Sequence, residues 1–419
     1  MDRTSRRAMQ AGTGVLVLAS TSVVAAALGW ATLIVFARST SESLFASFAV
    51  TWSVYFGMAG LLAGLQHEVT RELRTSAPAT SLGTWIEAFR IGVPVSALSA
   101  TVVTAFEIID GATWWVDWCS LMIAFVGLTG LVTVLGHLSF EKSWWLMAGL
   151  LTLDAVLRFA CVLAVVSFGS PFWAFGLALG LPSWVFVFMS SRCRRLTARR
   201  RKADRSPSAP ARAFARKAAV VMASTGLSAS MMAGLPWLVS VTAWGEREAA
   251  SGGLLAALVL FRSPVLAISN GIRPVLLRSL LTMPEEATRA TVAKWWRVCA
   301  ALGVVLVASA ALLGTLALGA VYGAQFQVSS WSAAWLAVSA VFLVMATQGT
   351  LGLVARDLHR ASLRCWIWGV VATAVPLLLL PGADDRLLIA SVAGPLVVVL
   401  LLSLALRRRA AVPGRFMRE

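Results

Sequence analysis

The sequence predicts an all-α polytopic membrane protein, with twelve transmembrane helices in two six-helix lobes related by a pseudo-two-fold axis along the membrane normal. Three observations predict it. The 419 residues are 58% hydrophobic and only 13% charged, whereas a soluble domain carries about 25% charged residues. Apolar runs long enough to cross about 30 Å of hydrocarbon recur along the whole chain. One long polar stretch, Arg192 to Lys217, holds 11 Lys and Arg and falls at the middle, with six apolar runs on either side.

The spans are expected at residues 12–37, 44–66, 89–109, 115–139, 145–168 and 171–191, then at 218–243, 251–273, 298–321, 329–354, 362–381 and 386–406. Each should be a helix, because hydrocarbon offers backbone amides no outside partner and the ten-residue alternation of a membrane barrel is absent. Ser5-Arg6-Arg7 resembles the start of a twin-arginine signal. The apolar run after it is longer than a cleavable signal core, so it reads as a first span with a basic cytoplasmic flank. Prolines at Pro94, Pro182, Pro236, Pro264, Pro376 and Pro395 interrupt spans and are expected to permit kinks.

Charge tests this order. With both termini inside, 31 of the 36 Lys and Arg fall on the cytoplasmic side, and missing one span would reverse that bias downstream. The outer ends keep only Arg38, Arg247 and Arg386, and are acidic at Glu42, Glu107, Asp110, Asp117, Glu246, Glu248, Asp384 and Asp385. Trp114-Trp115, Trp144-Trp145 and Trp295-Trp296 mark headgroup levels. The predicted organisation is an N-lobe at 1–191, a basic cytoplasmic linker at 192–217, a C-lobe at 218–406 and a cytoplasmic tail at 407–419. Ala19-Ser20-Thr21 and Ala223-Ser224-Thr225 occupy matching places in spans 1 and 7, which fits a repeat of parallel lobes.

Ionisable groups inside spans are costly and are therefore the first functional candidates. Arg262 lies mid-span, two residues before Pro264, without an acid within one helical turn. It reads as facing a watery cavity, where a guanidinium fits a phosphate in bidentate fashion, or else as satisfied by helix carbonyls or a distant carboxylate. Asp154 and Arg158 stand at (i, i+4) on one helix face, as a neutralised structural pair or as an ion-coupling site. Arg38 ends span 1 and either meets an anionic headgroup or snorkels to the interface. Arg71 and Arg74 beside Glu68 and Glu72 read as a solvated helical extension. Within the central stretch, Arg199, Arg200, Arg201 and Lys202 are candidates for anionic-lipid contact, beside the plainer reading of an orientation signal and tether.

The net charge of +17 would suggest nucleic acid in a soluble chain. Here the charges sit between spans, so nucleic acid is not expected as a partner. Cys119, Cys161, Cys193, Cys299 and Cys365 are scattered singly, and His67, His137 and His359 lie far apart, so neither a metal nor a cofactor is expected. Glycine-rich phosphate loops, paired carboxylates and nucleophile–histidine sets are all missing, which argues against an enzyme.

The opening of the chain resembles bacterial polysaccharide flippases of the Wzx type. The likeness rests on Phe36-Ala-Arg-Ser-Thr-Ser-Glu-Ser-Leu-Phe-Ala-Ser-Phe-Ala49, on Gly60-Leu-Leu-Ala-Gly-Leu-Gln-His-Glu-Val69, on Phe261-Arg-Ser-Pro, on Arg273-Pro-Val-Leu-Leu-Arg278 and on Val321-Tyr-Gly-Ala-Gln-Phe326. The family's glycine after the loop aromatic is replaced here by Ala46. That family belongs to the multidrug/oligosaccharidyl-lipid/polysaccharide exporter superfamily. The resemblance implies alternating access around a central cationic cavity, with a polyprenyl-(pyro)phosphate-linked saccharide as substrate. It also implies a place in the cytoplasmic membrane among its lipids, and a polysaccharide polymerase and glycosyltransferases as partners. On this reading Arg262 and Arg38 are headgroup contacts. The rival readings are a cation-coupled drug or metabolite antiporter of the same superfamily and a membrane-embedded glycan polymerase. Short outer loops count against the polymerase, and the scarcity of span carboxylates counts against export of cations.

Overall fold

The computed structural model describes residues 3–75, 81–105, 114–169, 171, 173–200, 211–242, 252–356 and 358–408. Among them are thirteen helices and no strand. They are α1 (Arg3–Ser39), α2 (Glu42–Thr75), α3 (Ser81–Thr104), α4 (Trp114–Glu141), α5 (Trp144–Ser167), α6 (Trp173–Arg200) and α7 (Ala211–Met232). There follow α8 (Leu235–Thr242), α9 (Gly252–Thr282), α10 (Glu285–Tyr322), α11 (Ser330–Val354), α12 (His359–Leu379) and α13 (Ala383–Arg408).

Every expected span coincides with a helix, and one span is split. Helices α7 and α8 together form the seventh, bent by 77° where Ala233 and Gly234 interrupt the run. Pro236 follows at once, and its missing N–H explains why the helix cannot continue straight. Pro94, Pro182, Pro376 and Pro395 instead sit inside continuous helices. Among the described residues nine helices are long and apolar enough to cross a bilayer, the bent pair would make ten, and Trp173–Phe188 and Gly252–Ser263 are shorter apolar segments. The protein is thus a multi-pass helical membrane protein. The basic stretch is partly helical: α6 runs on to Arg200 and α7 starts at Ala211. Glu107, Asp110, Glu246, Arg247 and Glu248 lie outside the described residues, as does the tail beyond Arg408.

The chain divides into two compact units, the first formed by Met1–Ser39 with Ser47–Trp237 and the second by Thr40–Ala46 with Leu238–Glu419. Helix α7, which follows the basic stretch, groups with the first unit. The reason is close packing on α2. The sequence Gly60-Leu-Leu-Ala-Gly64 is a small-xxx-small stripe of the kind that lets membrane helices approach closely. A Cβ on Gly64 would lie 2.6 Å from the backbone of Met222, and Thr225 donates its hydroxyl to the Leu61 carbonyl at 3.3 Å. Elsewhere in this unit α4 packs against α6 in the same way. A Cβ on Gly180 would come within 2.2 Å of Ala124 Cα, and the Trp184 indole donates to the Ile123 carbonyl at 2.8 Å.

The second unit is built around α11, which packs on α9, α10 and α13. Leu336, Ala337, Ala340 and Leu343 are fully buried along it. Helix α10 turns Leu302, Val304, Leu312 and Leu316 outward, an apolar face suited to lipid rather than water. The start of α2 also belongs here. Glu42 accepts the Gly253 N–H at 2.8 Å, placing a carboxylate at the N-terminus of α9, where free amides and the helix dipole favour it. Phe45 packs its ring 5.0 Å from Phe326 and 5.9 Å from Tyr322.

Two glycines two turns apart on α2, Gly57 and Gly64, should therefore answer differently to a side chain. Gly64→Val forces the backbones of α2 and α7 apart and should destabilise by about 1–3 kcal/mol. Gly57→Ala, whose Cβ meets nothing within 4 Å, should be neutral or stabilising. Thermal unfolding in detergent compares the two, and equal midpoints would contradict the packing described.

Candidate functional site

Among the described residues, two arginines sit in the middle of expected spans, one in each unit. In the first unit Arg158 on α5 forms an ion pair with Asp154, one turn earlier. The same guanidinium donates to the Tyr55 hydroxyl at 3.0 Å and to the Leu179 carbonyl at 3.2 Å. It lies over the Tyr55 and Phe56 rings at 4.9 and 5.5 Å, a placement in which the ring quadrupole attracts the cation. Ser183 donates to the other Asp154 oxygen at 3.1 Å and lies 3.2 Å from the Tyr55 hydroxyl. The pair thus draws α2, α5 and α6 together, with Asp154, Tyr55 and Ser183 all buried. Geometry of this kind offsets the desolvation of two ions, because both Asp154 oxygens and the Nε and Nη2 of Arg158 find partners.

Beside this network runs an aromatic ladder on α2. Phe48, Trp52 and Phe56 repeat every four residues, so they share one helix face. Their ring centroids are 5.8 and 4.7 Å apart in succession. Phe48 stacks on Phe36 of α1 at 4.0 Å, and Phe175 of α6 closes edge-on at 4.8 Å from Phe36.

In the second unit Arg262 on α9 is 3% exposed. Its Nε and Nη2 both donate to the Ser339 hydroxyl of α11 at 3.0 Å, and Nη2 also donates to the Ser391 carbonyl of α13 at 3.1 Å. The expectation that it faces a watery cavity is corrected by this burial. Neutral oxygens of two neighbouring helices hold it, which is close to the alternative of carbonyl satisfaction. Arg38 sits exposed at the last turn of α1 in the first unit, and Arg262 belongs to the second. Arg199 and Arg200 continue α6, whereas Arg201 and Lys202 lie outside the described residues. Among the described residues no group of three His, Cys, Asp or Glu could hold a metal ion.

Sequence reasoning missed several buried polar groups. Glu68 is not solvated. It is buried and ion-paired with Arg71, while Thr70 beside it donates to the Gly136 carbonyl at 3.1 Å. His137 stacks on Trp85 at 4.7 Å and donates Nδ1–H to the Thr133 carbonyl at 2.9 Å. Arg386, expected at an exposed outer end, is buried and donates to the Leu380 carbonyl and, at 3.2 Å, to the Thr242 carbonyl. It thereby closes the last turns of α12 and α8, where carbonyls lack helical partners. A basic residue after a helix end was the available signal for that role.

No protein-family model matches the chain. An uncharacterized protein of Mycobacterium tuberculosis is 29% identical over 423 residues, covering 98% of this chain and 96% of the relative. An uncharacterized protein of Mycobacterium bovis is 28% identical over 385 residues, covering 90% and 88%. Among solved structures, an inward-facing multidrug resistance MATE family transporter of the MOP superfamily superposes with a TM-score of 0.65 at 16% identity, covering 93% of this chain and 94% of that one. A MOP superfamily transporter from Pyrococcus furiosus, whose structure is titled for a reversed polarity of its binding pocket, gives 0.64 at 15% identity over 95% and 96%. The fold is that of the MATE transporters. The predicted twelve-helix, two-lobe class agrees with it. At these identities the MATE likeness establishes architecture, and the residues facing a substrate must be argued from this chain.

The Asp154–Arg158 pair yields a prediction through its burial. Arg158→Met leaves a buried carboxylate without its cation and should destabilise by about 3–5 kcal/mol. Replacing both, as Asp154→Leu with Arg158→Met, should recover most of that loss. A thermal-unfolding cycle over the four proteins measures the coupling. Additive losses would show that the two side chains do not act as a pair.

Proposed function

We propose that this protein is a transporter that flips polyprenyl-(pyro)phosphate-linked saccharides between leaflets of the cytoplasmic membrane for cell-surface polysaccharide assembly, by alternating access. The observation that carries the reading is the state of the interior charges. Asp154 is already engaged by Arg158 and Ser183, and Glu68 is engaged by Arg71. Those carboxylates are committed within their own unit, which disfavours an organic cation as cargo. Arg262 adds a further interior cation whose partners on α11 and α13 are a hydroxyl and a carbonyl. A guanidinium so held keeps its charge and can exchange neutral acceptors for the stronger oxygens of a phosphate. The Pyrococcus furiosus transporter, for which a reversed pocket polarity suggests a different function, supports the idea that this fold accommodates pockets of different polarity. Arg38 is the second proposed headgroup contact, and a polymerase and glycosyltransferases are the proposed partners.

Export of an apolar cation is the second reading. The ladder of Phe48, Trp52 and Phe56 favours it, as do neighbours titled as multidrug resistance transporters. Translocation of a lipid-linked glycan into proteoliposomes, beside efflux of a fluorescent cationic dye from cells, separates the two. We expect glycan translocation without dye efflux. Arg262→Lys keeps the charge but loses the planar fork, and should slow translocation by about tenfold at normal expression. Undiminished flipping in Arg262→Ala would remove that residue from the mechanism, and dye efflux without glycan movement would overturn the first reading.

A further inference from the structure

Helix α10 is longer than a bilayer needs. Its 38 residues rise about 57 Å, against about 30 Å of hydrocarbon. The surplus lies at its start, below Trp295 and Trp296. The Trp296 indole donates to the Met345 carbonyl at 2.8 Å, and a Cβ on Gly349 would come within 2.7 Å of its ring. Trp295, Trp296 and Leu406 all pack on the cluster of Leu276, Leu280, Val292 and Leu351. The end of α9, the start of α10 and the ends of α11 and α13 therefore share one level of the second unit. Charge assigns that level to the cytoplasmic side.

The outward faces at this level are basic where they meet the apolar surface. Lys294 is exposed and shares one helix line with Val298, Val305 and Leu312, which are exposed as well. Arg297 is exposed and heads the adjoining line with Val304. The acids of α10, Glu285 and Glu286, lie more than two turns before Lys294. The arrangement recurs on α12. Arg364 is exposed and shares a face with Ile367, Val371, Val375 and Leu378, whereas Cys365, Trp366, Gly369 and Thr373 are buried behind it. Helix α12 holds no acidic residue. Among the described residues, Lys294, Arg297 and Arg364 form no ion pair. A cation that continues a lipid-facing apolar line can lay its stem along that line and reach a headgroup phosphate. Three such cations at one end of a unit, none matched by a carboxylate, favour a leaflet of net negative charge over a zwitterionic one. We propose that the second unit binds anionic phospholipid at this level, with Lys294 and Arg297 of α10 and Arg364 of α12 as headgroup contacts. The surface lies outside the central basic stretch and does not depend on the flippase reading.

The test titrates the full-length protein in detergent with phosphatidylglycerol or with the zwitterion phosphatidylcholine and follows thermal unfolding. Phosphatidylglycerol should stabilise wild type more, and the difference should shrink as salt rises. The three side chains make no internal ion pair, so Lys294→Gln with Arg297→Gln, and separately Arg364→Gln, should unfold as wild type does without lipid. The double variant should need about tenfold more phosphatidylglycerol for the same stabilisation, and Arg364→Gln about fivefold more. Lys294→Arg keeps the charge and should behave as wild type. So should Arg90→Gln, which removes an exposed arginine paired with Glu87 in the first unit. Equal responses of wild type to the two lipids would overturn the proposal, as would an unchanged phosphatidylglycerol requirement in either the double variant or Arg364→Gln. A loss of the same size in Arg90→Gln would also overturn it, by showing a response to overall charge alone.

Discussion

Hydrocarbon offers no partner to a backbone amide, and the rest of this structure follows from that constraint. It turns every apolar run into a helix. It also removes the usual drive for those helices to associate, because lipid is as apolar as they are. Cohesion must then come from close backbone approach and from polar side chains that find partners inside. Both devices are present. Glycines at 64 and 180 let α7 reach α2 and α4 reach α6, and the Arg158 guanidinium ties α5 to α2 and α6.

The same constraint explains what the sequence disclosed. Twelve spans, their order and the break before Pro236 were legible because bilayer thickness and proline chemistry act locally. Helix limits beyond the bilayer were less so. Helix α10 begins at Glu285, thirteen residues before the expected span, because Glu285, Glu286, Arg289, Lys294 and Arg297 are good helix formers that hydropathy discounts. The Gly60–Gly64 stripe entered the sequence reading only through the family resemblance, and the helix it would meet was not legible there.

The candidate sites were legible as residues and illegible as surroundings. Asp154 and Arg158 announce themselves by helical spacing. Nothing in the sequence says that Tyr55 lies 103 positions from Arg158 and still receives its hydrogen bond. Arg262 was conspicuous as a charge in an apolar run, yet its burial depends on Ser339 and Ser391, which look like ordinary helix serines.

The two mid-span arginines, Arg158 and Arg262, are therefore not equivalent. Arg158 is matched by a carboxylate one turn away, so the pair is neutral and its removal as a pair should cost little. Arg262 is placed against neutral oxygens, where a methionine of similar bulk would pack without desolvating an ion. A helix under selection only to pack gains nothing from the guanidinium. Its presence is explained if the charge itself is used, and its bonds to the Ser339 hydroxyl and the Ser391 carbonyl can be exchanged more readily than a bond to a carboxylate. This is the physical reason for seeking the anionic cargo at α9 rather than at α5, and for treating the Asp154 network as the frame of the first unit.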